Sequence, residues 1–214
     1  MTPDPSPAWQ SILKATGLLL SFAFIGTLLV GLSHDQTTEQ IRENERNALL
    51  TQLNAITPRH NNDLLQDVLI IQAPEQLGSQ QTTIYRARLN QTPIAAIFSP
   101  VTAQGYSGAI KLIIAIRTDG TLAGVRVISH RETPGLGDKI EHERHPWIFD
   151  FTGKQLNSPV RWQVKRDGGD FDQFTGATIT PRAVVAAVHQ TLQYFSQHQD
   201  ALFLPTSDRL KVVR

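Results

Sequence analysis

Asp172-Gln173-Phe174-Thr175-Gly176-Ala177-Thr178-Ile179-Thr180-Pro181 leads directly into Arg182-Ala183-Val184-Val185-Ala186-Ala187-Val188 and sets hydroxyls and small residues at the start of a helix. Thr180 is a favoured N-cap type, and Pro181 suits the first helical position, where its missing N–H would have no partner anyway. Val184, Val185, Val188, Leu192 and Phe195 then recur every three to four residues, predicting one apolar helix face through about Gln197. The unpaired N–H groups and positive dipole end of that helix point back into the loop. Gly176 and Ala177 have too little side chain to obstruct a ligand there, so a phosphate ester fits. By itself, a Gly-Ala-Thr turn before a capped helix is commoner in proteins without a cofactor than in those with one.

A second observation shifts that balance. Asp172, Thr175, Gly176, Ala177 and Thr178 match, without a gap, the pattern Asp-x-x-Ser/Thr-Gly-Ala-Thr of the FMN-binding domain family, whose members carry FMN in phosphodiester linkage to a threonine. The resemblance implies that Thr178, the last threonine of the pattern, bears the flavin. A wider likeness runs from Gly105 to about Val188 and includes Glu132-Thr133-Pro134-Gly135-Leu136-Gly137-Asp138-Lys139 and Lys165 to Phe174. It resembles the G subunits of the bacterial Rnf electron-transport complex. Two stretches in the same order disfavour plain capping for the loop, and Thr180 alone is assigned to the cap.

Composition bounds the rest. The chain has 214 residues, a net charge of +1 and 40% hydrophobic content, enough for one ordinary domain after an anchor is subtracted. No charge bias attracts nucleic acid. With no cysteine, the chain supplies no disulfide, iron–sulfur ligand or thiol redox couple, and any electron it carries sits on an acquired organic cofactor.

Between Lys14 and Asp35 nothing is charged except His34 when protonated, and Leu18, Leu19, Leu20, Phe22, Phe24, Ile25, Leu28, Leu29, Val30 and Leu32 dominate. That length spans a bilayer core of about 30 Å. A cleaved signal peptide is the rival, but the stretch is long for one and Gly31-Leu32-Ser33-His34-Asp35 offers no small-x-small site, so an uncleaved single-span anchor is predicted, with Trp9 at the interface. Lys14 on one side and Arg42 and Arg46 among Glu39, Glu43 and Glu45 on the other leave the orientation undecided by charge. The resemblance implies a bacterial inner membrane with the soluble domain in the periplasm. The expected plan is a cytoplasmic N-terminus over 1–14, an anchor over 15–34, a linker helix over 35–58, the FMN-binding domain over 59–199 and a weakly structured tail over 200–214.

Ile41, Glu45, Ala48, Leu49, Leu53 and Ile56 give the linker one moderately apolar face, which stops at Thr57-Pro58 because the residue before proline avoids helical geometry. Its mixed-charge face is read as solvated. Strands are predicted at Thr83–Leu89, Ile94–Phe98, Ala109–Ile116, Thr121–Ile128 and Val160–Val164, with Asp119-Gly120 as a hairpin turn and a short helix or its exit at Trp147–Phe151. Gly105-Tyr106-Ser107-Gly108 either contacts a ligand or turns the chain. The class is α+β, a twisted antiparallel sheet with flanking helices, preceded by one transmembrane helix.

Pro134-Gly135-Leu136-Gly137 permits positive φ and frees N–H groups to point inward. In the resembling family this loop marks the flavin domain, which implies that Gly135, Leu136 and Gly137 contact the isoalloxazine. Glu132, Asp138 and Lys139 either brace the loop, bond the ring's polar edge or belong to a surface turn. Asp172 has two roles open to it, recognition by a flavin transferase and capping of the turn. Lys165 and Arg166 are the cations able to neutralise the phosphate, unless they are solvated strand ends. His142-Glu143-Arg144-His145 lacks the spacing of a zinc helix, no metal is expected, and His130, His189 and His198 are read as surface residues.

The resemblance thus implies an electron-carrying subunit of an Rnf-type complex that couples ferredoxin and NAD chemistry to ion movement. It is a redox subunit of a translocase rather than a complete enzyme, with other membrane and iron–sulfur subunits as partners and a flavin transferase for maturation. The C subunit of the sodium-pumping NADH:quinone oxidoreductase and a non-redox membrane-tethered binding module are the alternatives.

Overall fold

A computed structural model describes residues 8–204, with the side chains of 8, 11, 32–36, 38 and 39 excepted. The expectations for residues 1–7, for the tail beyond Leu204 and for Glu39 fall outside the described residues. The chain forms two compact units, Met1–Leu49 and Leu50–Arg214.

The first unit holds most of α1 (Ala8–Ile56), a single 49-residue helix. No glycine or proline interrupts the chain between Gly31 and Ile56, and Gln, Glu, Arg and Leu favour helix, so nothing divides anchor from linker. Ile12–Gly31, 20 residues with mean hydropathy 1.9 and fully exposed, is long and apolar enough to cross a membrane.

In the second unit α1 ends where expected: Thr57 donates its N–H (3.0 Å) and its hydroxyl (2.6 Å) to the Leu53 carbonyl, immediately before Pro58. Next come β1 (Val68–Ile71), α2 (Pro74–Leu77), β2 (Thr82–Leu89), β3 (Thr92–Phe98), β4 (Val101–Thr102), β5 (Ile110–Arg117), β6 (Leu122–Ser129) and α3 (Ile179–Phe203). All pairings are antiparallel in the order β1-β2-β3-β5, with β4 extending the β3 edge of β5 and β6 on its other edge. The β5–β6 hairpin turns at Asp119-Gly120, where the Asp119 carboxylate accepts the Thr121 N–H at 2.8 Å. The β2–β3 hairpin turns at Asn90-Gln91 with both residues at positive φ, held by a reciprocal pair of hydrogen bonds in which the Asn61 side-chain amide donates to Asn90 Oδ1 and the Asn90 N–H donates to Asn61 Oδ1.

β5 is buried from Leu112 to Ile116, which explains its unbroken apolar run. One face joins Ile84, Phe98, Leu112, Ile114 and Ile116 to the apolar stripe of α3 and to Trp147, Ile148 and Phe151 in a single core. On the other face Ile56 at the end of α1 lies against Gly124 of β6, where a Cβ would sit 2.9 Å from its side chain. α3 runs past Gln197 to Phe203, because Leu202 is buried in the same core. The predicted strand at Val160–Val164 does not form. Val164 makes only an isolated parallel bridge to Phe171, since the chain doubles back at Gly169, where even a Cβ would lie 1.9 Å from the Gln163 carbonyl oxygen.

Candidate flavin site

α3 starts two residues earlier than its sequence cues indicate. Ala177 donates its N–H to the Phe174 carbonyl at 3.0 Å, closing a turn whose third residue, Gly176, has φ +82°. That conformation is open to glycine at little cost. Thr178, already at φ −76°, ψ −29°, is therefore the N-cap in place of Thr180, and its side chain makes no capping bond. Thr180 and Pro181 lie inside the first turn, where a missing N–H costs nothing because none there has an intrahelical acceptor. The Thr180 hydroxyl instead donates to the buried Glu132 carboxylate.

An aromatic stack fixes the loop from below. Trp147 donates its indole N–H to the Asp172 carbonyl (2.8 Å) and packs edge-on against Phe174 at 5.2 Å between centroids; Phe151 stacks on Phe171 at 4.6 Å. His145 accepts the Trp147 N–H through Nδ1, capping the 3₁₀ turn Pro146–Phe151 that carries the tryptophan.

The loop faces a cavity of about 520 Å³, of the size that takes small-molecule ligands. Its walls combine Gly176, Ala177 and Thr178 with Leu136 and Gly137, so the fold joins two loops about 40 residues apart in sequence. Thr175 faces a second cavity of about 370 Å³ with Asp172, Lys139 and His145, while Gly135, at φ +78°, lines neither. Tyr106, from the Gly105–Gly108 stretch read as either a ligand contact or a turn, also lines the first cavity, as do Ile179 and Arg182, whose side chains no local pattern in the sequence singles out. Tyr106 (69% exposed), Leu136 (42%) and Ile179 give it an apolar rim.

The two candidate cations diverge. Lys165 pairs with Asp172 at 2.6 Å, and that bond and charge hold its ammonium pKa above the usual value. Arg166 lines the cavity and directs Nη1 at Thr178 Oγ1, 3.5 Å away. Arg182, beside it, grips Asp167 with Nε and Nη2 at 2.5 Å each, which holds the Asp167 carboxyl below the ordinary range. A hydroxyl free of any capping bond, a guanidinium and the N–H groups of a helix start together form an anion cradle.

The three histidines are half-buried rather than plain surface residues. His130 Nδ1 accepts the Glu132 N–H at 2.9 Å, so its proton sits on Nε2 and faces Glu141 at 2.7 Å. His189 stacks on Trp162 (centroids 5.6 Å, planes within 1°), and burial pushes its pKa down; His198 stacks on Tyr194.

Similarity to known proteins adds the deciding observation. Residues 105–193 match the FMN-binding domain and residues 1–56 the RnfG N-terminal region. The chain is 47% identical over 196 residues to the G subunit of the ion-translocating oxidoreductase complex of Vibrio atlanticus, covering 89% of this chain and 93% of that one. The chain belongs to this family of G subunits. The G subunit of Shewanella oneidensis is 44% identical over 87% of this chain and 91% of its own. Among solved structures, the C subunit of the Na(+)-translocating NADH-quinone reductase from Parabacteroides distasonis is similar at 20% identity and TM-score 0.43, over 68% of this chain and 69% of that one. Every residue lining the first cavity of this G subunit, from Tyr106 to Arg182, falls inside the FMN-binding domain match.

Proposed function

We propose that this protein, as the G subunit of an ion-translocating oxidoreductase complex, carries electrons on FMN joined to Thr178 by a phosphodiester bond. One observation carries the reading: a threonine at a helix start whose hydroxyl takes no part in capping and is met by Arg166 inside the cavity of the FMN-binding domain. The residues present suit the group. Arg166 and the first-turn N–H groups of α3 offset the phosphodiester's negative charge, Gly176 and Ala177 leave it room, and Leu136, Ile179 and Tyr106 provide apolar surface for a flat ring. Bound FMN supplies one- and two-electron chemistry that no side chain of a cysteine-free protein provides.

Attachment falls to a separate flavin transferase using FAD. The Thr178 oxygen forms the new P–O bond to the FMN phosphorus, the pyrophosphate bond breaks, and AMP leaves with the hydroxyl proton. Leu136 and Gly137 would bound the ring, Leu136 by packing on it, with Gly135 supplying the positive-φ turn that presents them, while Thr175 and Asp172 face the other side of the loop, open to the transferase. The apolar segment of α1 anchors the protein once in the bacterial inner membrane with the domain of residues 59–199 in the periplasm. Iron–sulfur and further membrane subunits hold the remaining carriers.

Intact-mass measurement after coexpression with a flavin transferase tests this. The wild-type protein gains the mass of FMN less one water, and Thr178→Val gains nothing. Equal flavin content in the two proteins overturns the assignment.

A further inference from the structure

Glu132 is a buried carboxylate, 5% exposed, with no ion-pair partner among the described residues, and it lies in the wall of the flavin cavity. It serves three segments at once. It accepts the Ser107 N–H at 3.0 Å from the Gly105–Gly108 loop and the hydroxyl hydrogen of Thr180 from the first turn of α3, and it is itself the first residue of the loop that carries Leu136. Two glycines make room for it. A Cβ on Gly105 would lie 2.8 Å from Oε1, and a Cβ on Gly137 would lie 2.9 Å from the Glu132 Cβ and 3.0 Å from the Thr180 Oγ1. Its own N–H is held by His130 Nδ1. A carboxylate so placed, desolvated and satisfied only by these donors, costs free energy that a simple turn does not require.

We infer that Glu132 is a positioning residue of the flavin site. Its carboxylate clasps the Gly105–Gly108 loop, the Thr133–Gly137 loop and the start of α3 into one wall, and this wall sets the surroundings of the ring. The inference rests on the flavin reading above but is separable from it, because the clasp exists whether or not Thr178 is modified.

Thr180→Val removes the hydroxyl at constant shape, and Thr180→Ser retains it. In flavinylated protein, Thr180→Val retains the flavin mass while the visible absorption maxima and midpoint potential move from wild-type values, and Thr180→Ser matches wild type. In protein never exposed to the transferase, hydrogen exchange at the Ser107 amide quickens roughly tenfold in Thr180→Val and stays slow in Thr180→Ser, as loss of one bond to a charged group predicts. Wild-type spectrum and potential in Thr180→Val would overturn the positioning role. Unchanged Ser107 exchange in Thr180→Val would overturn the clasp itself. A wild-type protein that accepts no flavin, yet shows the exchange difference, refutes the flavin reading and leaves the clasp standing.

Discussion

Thr180 and Glu132, 48 residues apart in sequence, are joined by a hydrogen bond from a threonine hydroxyl to a buried carboxylate in the wall of the flavin cavity. Breaking it leaves a desolvated carboxylate oxygen without a donor. Thr180→Val is expected to lower the stability of the domain by about 1–3 kcal/mol, whereas Thr180→Ser stays within about 1 kcal/mol of wild type. Denaturant titration of both variants checks this, and equal midpoints would contradict the bond's contribution.

Arg166 is the cavity cation aimed at the Thr178 hydroxyl. A charge-assisted hydrogen bond contributes about 1.5–3 kcal/mol, and about 1.4 kcal/mol is tenfold. Flavin attachment to Arg166→Ala should therefore be slowed about ten- to a hundredfold, with Lys165→Ala close to wild type because Lys165 is engaged by Asp172. The initial rate of in-gel flavin fluorescence distinguishes the two; a larger loss in Lys165→Ala would reverse their roles.

Trp147 supports the Thr178 loop through both its ring and its N–H. Trp147→Phe keeps an aromatic ring against Phe174 but leaves the Asp172 carbonyl without its donor. A loss of about 1–3 kcal/mol is expected, with faster amide exchange concentrated in residues 172–178. Exchange spread evenly over the domain would show that the ring alone bears the load.

His189 brings a pH dependence whose sign follows from its lowered pKa. Between the folded value and the ordinary value of about 6.5 the unfolded chain binds more protons, so stability rises with pH across that window. Acidification from about pH 6.5 should destabilise the domain until the folded His189 is itself protonated, and below that point this contribution levels off. Tm measured against pH for wild type and His189→Gln isolates it. Parallel curves would mean that burial does not perturb the ring.

Much of this molecule was legible as sequence because its cues are local. Alternation located β2, apolar runs located β3, β5 and β6 with the Asp119-Gly120 turn between the last two, an uninterrupted apolar stretch located the candidate span within α1, and Thr57-Pro58 marked the end of that helix. Short or atypical elements were less visible. β1 and β4 have four and two residues, too few to show a period, and the β2–β3 hairpin turns on Asn90-Gln91 without a glycine to signal it. Val160–Val164 has the composition of a strand but no neighbouring strand to pair with, so composition misled there.

The sequence by itself determined the loop chemistry, since a Thr-Gly-Ala-Thr run before a helix is a property of adjacent residues and their backbone preferences. Only the tertiary structure decided which hydroxyl is engaged by a buried carboxylate and which is left to Arg166. Thr178 and Thr180 are both competent caps by type. The turn at Gly176 starts the helix early, and burial against Glu132 engages Thr180 while leaving Thr178 facing Arg166. Side-chain bonds spanning 12 and 48 residues depend on how the chain packs, and no local pattern encodes them.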